Sequence, residues 1–212
     1  MSEIAPRTAL LVPSRSLRGA KTRLDSMLNP NQRAQLAEAM LAKTIGAAGA
    51  LEPFVVTGDP DVTITAKEQG AQVIECLVPG LNIAVATGID HLHRAGFDRV
   101  VVAHGDIPLV HDLDAVDRPQ CRGVIIVPDR HVDGTNIIAV PTGFDFRWSY
   151  GPGSFHRHRI EALRLGLPLV VRKDADLAWD LDEPADIELA ADSLPPDLAY
   201  IIGKDPAFGA SV

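Results

Sequence analysis

The chain has 212 residues, 46% of them hydrophobic and 23% charged, with a formal net charge of −8 and a pI near 5.3. That length and composition suit one soluble α/β domain that can build its core without disulfide staples. The acidic balance excludes a nucleic-acid-coating role, which needs surplus Lys and Arg against phosphates, but leaves room for a nucleotide in one local basic pocket.

Short apolar runs alternate with helical patterns, the signature of βαβ units. Thr8 to Val12 reads as the first strand, ending at Pro13 and followed by a polar, basic loop from Ser14 to Leu24. Asn29-Pro30 reads as a helix N-cap with proline at the first helical position, ahead of Leu36, Met40, Leu41 and Thr44 at helical spacing. Phe54 to Val56 is the next strand, then a short helix after Asp59-Pro60, then the strand Val73 to Cys76. Gly80-Leu81-Asn82 opens a helix that runs to about Arg94 and stops at Gly96. Val100 to Ala103 is apolar throughout, as a strand buried on both faces should be.

Val124 to Val127 and Ile137 to Val140 read as strands, with Asp133-Gly134-Thr135-Asn136 as a turn-prone stretch between them. Tyr150 to Ser154 leads into a helix ending near Gly166, and Leu169 to Val171 is a further strand. The last clear helix is expected from Pro184, and the tail after Pro195 is expected as a surface segment or a partner contact. No repeat, low-complexity tract or linker divides the chain, so residues 1–212 are read as one domain. Cys76 and Cys121 lie in no CxxC or Cys/His cluster and are expected as buried, reduced thiols. With no basic-then-apolar leader and no apolar run of roughly 18 residues, a cytoplasmic protein without membrane association is expected.

Four stretches could carry chemistry. Asp106 follows the buried strand Val100 to Ala103, and carboxyl ends of strands are where ligands collect in open α/β sheets. It is a candidate metal ligand, or else a turn-forming Asp in Gly-Asp-Ile-Pro. In an extended Asp180-Leu181-Asp182 both carboxylates share one face, where a cation such as Mg²⁺ would relieve their repulsion. The competing role for Asp182 or Glu183 is a helix cap before Pro184. Gly151-Pro152-Gly153-Ser154 before a helix suggests backbone N–H groups around an anion, or simply a tight turn with Ser154 as N-cap. His156, Arg157, His158 and Arg159 add positive charge there, which invites a negative companion, or form a solvated face. Arg15, Lys21 and Arg23 charge the loop after the first strand, where α/β folds hold phosphates. No Walker A loop, GxGxxG fingerprint, GxSxG elbow or HExxH pair is present, and His91 and His93 fit a helix surface.

Taken in order, VPSRSLRGAKTRL, GLNIAV, GDIPLV, DGTNII, YGPGSFHRH and DLDEPADI resemble the CofC/FbiD family, the guanylyltransferases of deazaflavin coenzyme F-420 biosynthesis. The likeness runs from about Leu10 to Ala190. It implies a single-domain, three-layer α/β nucleotidyltransferase fold related to the GT-A glycosyltransferases (nucleotide-diphospho-sugar transferase-like), with a mixed, mostly parallel sheet. It implies transfer of GMP from GTP to a phosphorylated three-carbon acid: 2-phospho-L-lactate, phosphoenolpyruvate or 3-phosphoglycerate. Pyrophosphate leaves, and a downstream transferase takes the product. By matching position, Asp106, Asp180 and Asp182 would hold Mg²⁺, and Thr135, Gly151 and Ser154 the acceptor. Pro13, Lys21 and Arg23 would face the GTP phosphates, and Gly80, Leu81 and Asn82 the guanine. Arg15 stands where the family commonly has lysine, a planar fork in place of a point charge. Asp106, Lys21 and Arg23 are the expected catalytic residues. The alternatives are cytidylyl or uridylyl transfer to a sugar phosphate or cofactor precursor, and a non-catalytic nucleotide sensor. Small enzymes of this kind often pair, so a homodimer is one expectation for an oligomeric state that stays open.

Overall fold

The computed structural model describes residues 6–117, 122–190 and 193–203. Cys121 lies outside these residues, and Cys76 is a free, half-buried thiol rather than a core one.

The elements run β1 (Thr8–Pro13), α1 (Pro30–Gly46), β2 (Glu52–Thr57), α2 (Pro60–Glu68), β3 (Gln72–Glu75), α3 (Leu81–Arg94) and β4 (Arg99–Ala103). Then follow β5 (Val124–Pro128), β6 (Thr135–Pro141), α4 (Ser154–Arg164), β7 (Leu169–Val171), α5 (Pro184–Ala190) and α6 (Pro196–Ile201). The helix starts follow local chemistry. Asn29 and Gln32 form a reciprocal capping box at 3.0 Å each way, with Pro30 at the first helical position. Asp59 caps α2 by accepting from the Asp61 and Val62 N–H groups.

One seven-stranded sheet has the order β3-β2-β1-β4-β6-β5-β7. All neighbours are parallel except β6, which runs antiparallel to β4 and β5. Side-chain alternation splits the central strands between two cores. Leu10 and Val12 of β1 pack with α1 and α2 on one face, and Ala9 and Leu11 pack with α3 and α4 on the other. Gly88 of α3 lies so close to β1 that a Cβ would meet Leu11 Cδ2 at 2.6 Å.

The reversed direction of β6 positions the site. Its start pairs beside the end of β4, with Ala103 opposite Ile137 and the His104 N–H donating to Asn136 O at 3.0 Å. Thr135 and Asn136 therefore belong to the strand, not to the expected turn, and sit at the same mouth of the sheet as the ends of β1, β4 and β5.

A third apolar cluster lies under that mouth. Leu24, Leu28, Leu36, Met40, Leu181 and Ile187 share it with Leu194, Leu198 and Ala199. For the described part of the tail after Pro195 the expectation is corrected: α6 buries Leu198 and Ala199 against α1 and is part of the core, because its apolar stripe completes this cluster, while residues 204–212 lie outside the described residues. Leu198→Ala is expected to cost about 2–4 kcal/mol in urea denaturation, as a fully buried Leu should. A loss under about 0.5 kcal/mol would return the tail to the surface.

Candidate active site

Packing brings the first loop, the end of β4 and the segment before α5 together. Leu24 follows Lys21 by one turn and Leu181 precedes Asp182, and both are fully buried in the third cluster. The Leu181 N–H donates to Asp106 O at 3.2 Å, which ties the two acidic segments directly. Lys21 takes a left-handed conformation (φ 55°), a strained choice for a residue with a Cβ. Its ammonium then reaches Asp106 Oδ2 at 3.0 Å and Asp182 Oδ1 at 2.7 Å.

The electrostatics follow from burial and proximity. Burial would lower the Lys21 pKa, but the Asp106 and Asp182 charges outweigh it and hold it above its ordinary value. Burial would likewise raise the Asp106 carboxyl, and Lys21 with His104 holds it below the usual range instead. Among the described residues no such cation offsets Asp180: burial, then Asp106 and Asp182, push its carboxyl up. Asp106 Oδ1 is buried with no hydrogen-bond partner among the described residues. Among those residues, no three His, Cys, Asp or Glu side chains form a ready metal-binding group, and the Lys21 ammonium stands between two of the candidates.

Two cavities meet at this wall. The larger, of about 900 Å³, is lined by Pro13, Arg15, Lys21, Gly80, Leu81 and Asn82, among others. The smaller, of about 330 Å³, is lined by Thr135, Ser154, Asp180 and Arg23. Asp106, Asp182, His104, Tyr150 and Gly151 line both. Arg23 therefore stands apart from Lys21, in the smaller cavity, where it pairs with Glu183 at 3.2 Å. Asn82 Oδ1 is committed to the Tyr150 N–H at 2.6 Å. Leu181 points into the core while Asp180 and Asp182 line the smaller pocket, as an extended DLD segment requires.

The GPGS turn differs from the expected backbone anion site. Asp133 Oδ2 accepts the Gly153 N–H at 2.8 Å, Asp133 O accepts that of Phe155 at 2.9 Å, and Gly151 O accepts that of Ser154 at 3.0 Å. An internal acid thus occupies the place foreseen for a ligand. The cap is Gly153 at φ 74°, not Ser154. Arg157 turns back to grip the carbonyls of Ser149, Gly151 and Pro152.

Nor does His158 add charge. It is fully buried, and burial, with Arg157 and His104, pushes its pKa down to about 4. The Ser149 N–H donates to its Nε2 at 3.1 Å, so the neutral ring keeps its proton on Nδ1, 3.1 Å from Thr135 Oγ1. Ser154 Oγ also donates to Thr135 Oγ1, at 3.3 Å. That oxygen thus accepts from two neighbouring side chains, on a residue that lines the smaller pocket.

The sequence reading did not single out His104, Arg130, Asp133, Tyr150 or Asp186. Arg130 and Asp133 follow the end of β5, so the strand-end rule applied to Asp106 would have reached them. Asp186 stands three residues after Glu183 and accepts the Asp182 and Glu183 N–H groups at 2.7 Å each. From inside α5, its carboxylate thus fixes the backbone that leads into the helix.

Residues 8–190 match the family described as "Guanylyl transferase CofC like". A phosphoenolpyruvate guanylyltransferase of Sphaerobacter thermophilus is 35% identical over 89% of this chain and 94% of its own length. One of Rubrobacter xylanophilus is 34% identical over 84% of this chain and 90% of its own. Among solved structures, a Desulfovibrio desulfuricans G20 protein provisionally assigned as a nucleotide-diphospho-sugar transferase superposes with a TM-score of 0.71 at 17% identity, covering 88% of this chain and 87% of that one. A cytidylyltransferase of Leptospira borgpetersenii gives 0.56 at 16%, covering 98% and 99%. The chain shares its fold with these structures.

The buried, neutral His158 has a consequence for stability. Its folded pKa lies below the unfolded value of about 6.5, so the unfolded chain binds a proton that the folded chain refuses. The contribution is fully present above pH 6.5 and is lost as pH falls toward 4. Over that window it amounts to about 3 kcal/mol. Urea midpoints measured from pH 7 to 4 are expected to fall less steeply in His158→Gln than in the parent; identical slopes would mean that the ring is charged or accessible.

Proposed function

The chain belongs to the CofC-like guanylyl transferase family and is a nucleotidyltransferase, and on that premise we propose that it transfers GMP from GTP to phosphoenolpyruvate, releasing pyrophosphate. One observation carries this reading: a cavity roomy enough for a nucleotide and one suited to a three-carbon acid share a wall made by Asp106 and Asp182.

In the proposed reaction an oxygen of the acceptor phosphate attacks the α-phosphorus of GTP. The new bond joins the two phosphorus atoms through that oxygen, the bond from the α-phosphorus to the bridging oxygen of the β-phosphate breaks, and pyrophosphate leaves with the electron pair. A phosphate dianion is already nucleophilic near neutral pH, so no strong general base is needed. The obstacle is the meeting of two anions, and the chain's own residues address it. Lys21, kept protonated by its acidic neighbours, stands where the cavities join and can stabilise departing negative charge. Gly80, Leu81 and Asn82 would hold the base, and Pro13 and Arg15 the phosphates, along the larger cleft. Thr135, Gly151 and Ser154 would hold the acceptor, with the Thr135 hydroxyl held by His158; Arg23 adds charge at that pocket's rim. Bringing both substrates to one wall converts proximity into rate.

The acids at this wall are of the donor type that magnesium takes, although the Lys21 ammonium stands between two of them and no three are already gathered among the described residues. Carboxylate oxygens are the ion's preferred donors, Asp106 Oδ1 lacks a partner, and Asp180 is destabilised as an anion by its neighbours. Asp106, Asp180 and Asp182 would hold it. Bound there, Mg²⁺ supplies charge compensation at the reacting phosphates. The product would be a guanosine 5′-diphosphate ester of the three-carbon acid, an activated donor for a further transferase, as the family's part in deazaflavin coenzyme biosynthesis implies.

Pyrophosphate release tests the reading. GTP with phosphoenolpyruvate is expected to give product, with 2-phospho-L-lactate, 3-phosphoglycerate, CTP and UTP as comparisons. Preference for CTP or UTP would sink the guanylyl assignment for these substrates. Asp106→Asn is expected to lower turnover about a hundredfold, the loss of about 2.7 kcal/mol of transition-state stabilisation. Activity within threefold of the parent would remove Asp106 from the reacting centre.

A further inference from the structure

We propose that Arg130 is the acceptor's carboxylate clamp, a binding residue of the smaller pocket that sets the demand for an acid. The inference rests on the reading above that this pocket takes a phosphorylated carboxylic acid.

An acceptor with two anionic ends needs donors at both. The helix N-terminus beside the pocket does not supply them, because Asp133 and Gly151 O already accept the N–H groups of residues 153 to 155. Acidic side chains outnumber basic ones around the pocket, so an anion entering it needs a cation held in place. Arg23 is a poor candidate for that role: it is exposed at the rim and paired with Glu183. His131 is exposed as well.

Arg130 differs in every respect. It leaves the end of β5 and lies mostly buried, its guanidinium 4.5 Å from the centre of the Trp179 ring and its Nη2 paired with Asp186 Oδ1. Two contacts thus fix the planar fork before any ligand arrives. The other arm, Nη1, is buried without a hydrogen-bond partner among the described residues. A guanidinium N–H left unpaired in a polar pocket is expensive, and a carboxylate oxygen is its natural complement.

The placement selects the carboxylate over the phosphate. The acceptor phosphate must face the nucleotide across the wall of Asp106 and Asp182, which borders both cavities. Arg130 borders only the smaller one. With the phosphate at the shared wall, the opposite end of a three-carbon acid falls to Arg130.

The test uses the full chain with Mg²⁺ and a GTP analogue carrying a methylene between the α- and β-phosphorus. Calorimetric titration compares phosphoenolpyruvate with glycerol 3-phosphate, which has a phosphate but no carboxylate. Arg130→Met is expected to weaken phosphoenolpyruvate binding about 10- to 100-fold, as loss of a charge-assisted hydrogen bond implies. Affinity for the GTP analogue should stay within about twofold, and the preference for phosphoenolpyruvate over glycerol 3-phosphate should collapse. Arg130→Lys, which keeps charge but not the fork, is expected to fall between, and carries the test if the Met variant does not fold. Phosphoenolpyruvate binding within threefold of the parent overturns the proposal. So does an equal loss for both ligands, which a purely structural role through Asp186 would produce, and so does a parent that binds no phosphoenolpyruvate. If the parent releases no pyrophosphate yet binds phosphoenolpyruvate through Arg130, the clamp stands and the proposed reaction falls.

Discussion

The ammonium of Lys21, shared by Asp106 and Asp182, is the contact on which the site depends. It joins segments that are far apart in the chain: the loop after β1, the turn after β4 and the segment before α5. Two carboxylates at this separation repel unless a cation lies between them, and Lys21 supplies one from within the fold. Its side chain is only 7% exposed, so the charge is desolvated and would be costly without both partners. The left-handed backbone at Lys21 is the local strain accepted for that reach. Leu24 and Leu181, locked in the apolar cluster beneath, hold both ends of the bridge in register.

The same segments carry a second layer of support. Asp186 accepts the Asp182 and Glu183 N–H groups and pairs with Arg130, so one buried carboxylate fixes the backbone of an acidic residue and the direction of a basic one. Arg157 and Asp133 do the equivalent for the turn before α4, one binding its carbonyls and the other its N–H groups. That turn is saturated internally. It can shape the pocket, but recognition there passes to side chains such as Thr135, whose hydroxyl is oriented by the neutral ring of His158. Preorganisation of this kind keeps ligand binding from having to order the site.

Much of the architecture was legible because it rests on local rules. Short apolar runs marked the seven strands of the sheet, and the Asn29-Pro30 cap opened α1 as expected. The DLD segment presents its acids to one side because side chains alternate along extended backbone, wherever the segment sits. Asp106 was legible from its place after a wholly buried strand. The family likeness of the ordered motifs agreed with the family that residues 8–190 match.

What the sequence alone could not decide is which groups pair across the fold. Lys21 reads as a phosphate-facing cation in a basic loop, yet here its partners are Asp106 and Asp182, brought close only by the sheet order and the third cluster. The turn before α4 reads as an anion cradle until the antiparallel course of β6 brings Asp133 against it. His158 reads as one more positive charge on a basic helix, and burial makes it neutral. The tail after Pro195 reads as a surface segment or a partner contact, and α6 is core because α1 offers Leu198 and Ala199 a matching stripe. Periodicity and caps act within a few residues and are written in order along the chain. Charge state and hydrogen-bond partnership depend on burial and on neighbours distant in sequence, so only the folded arrangement sets them.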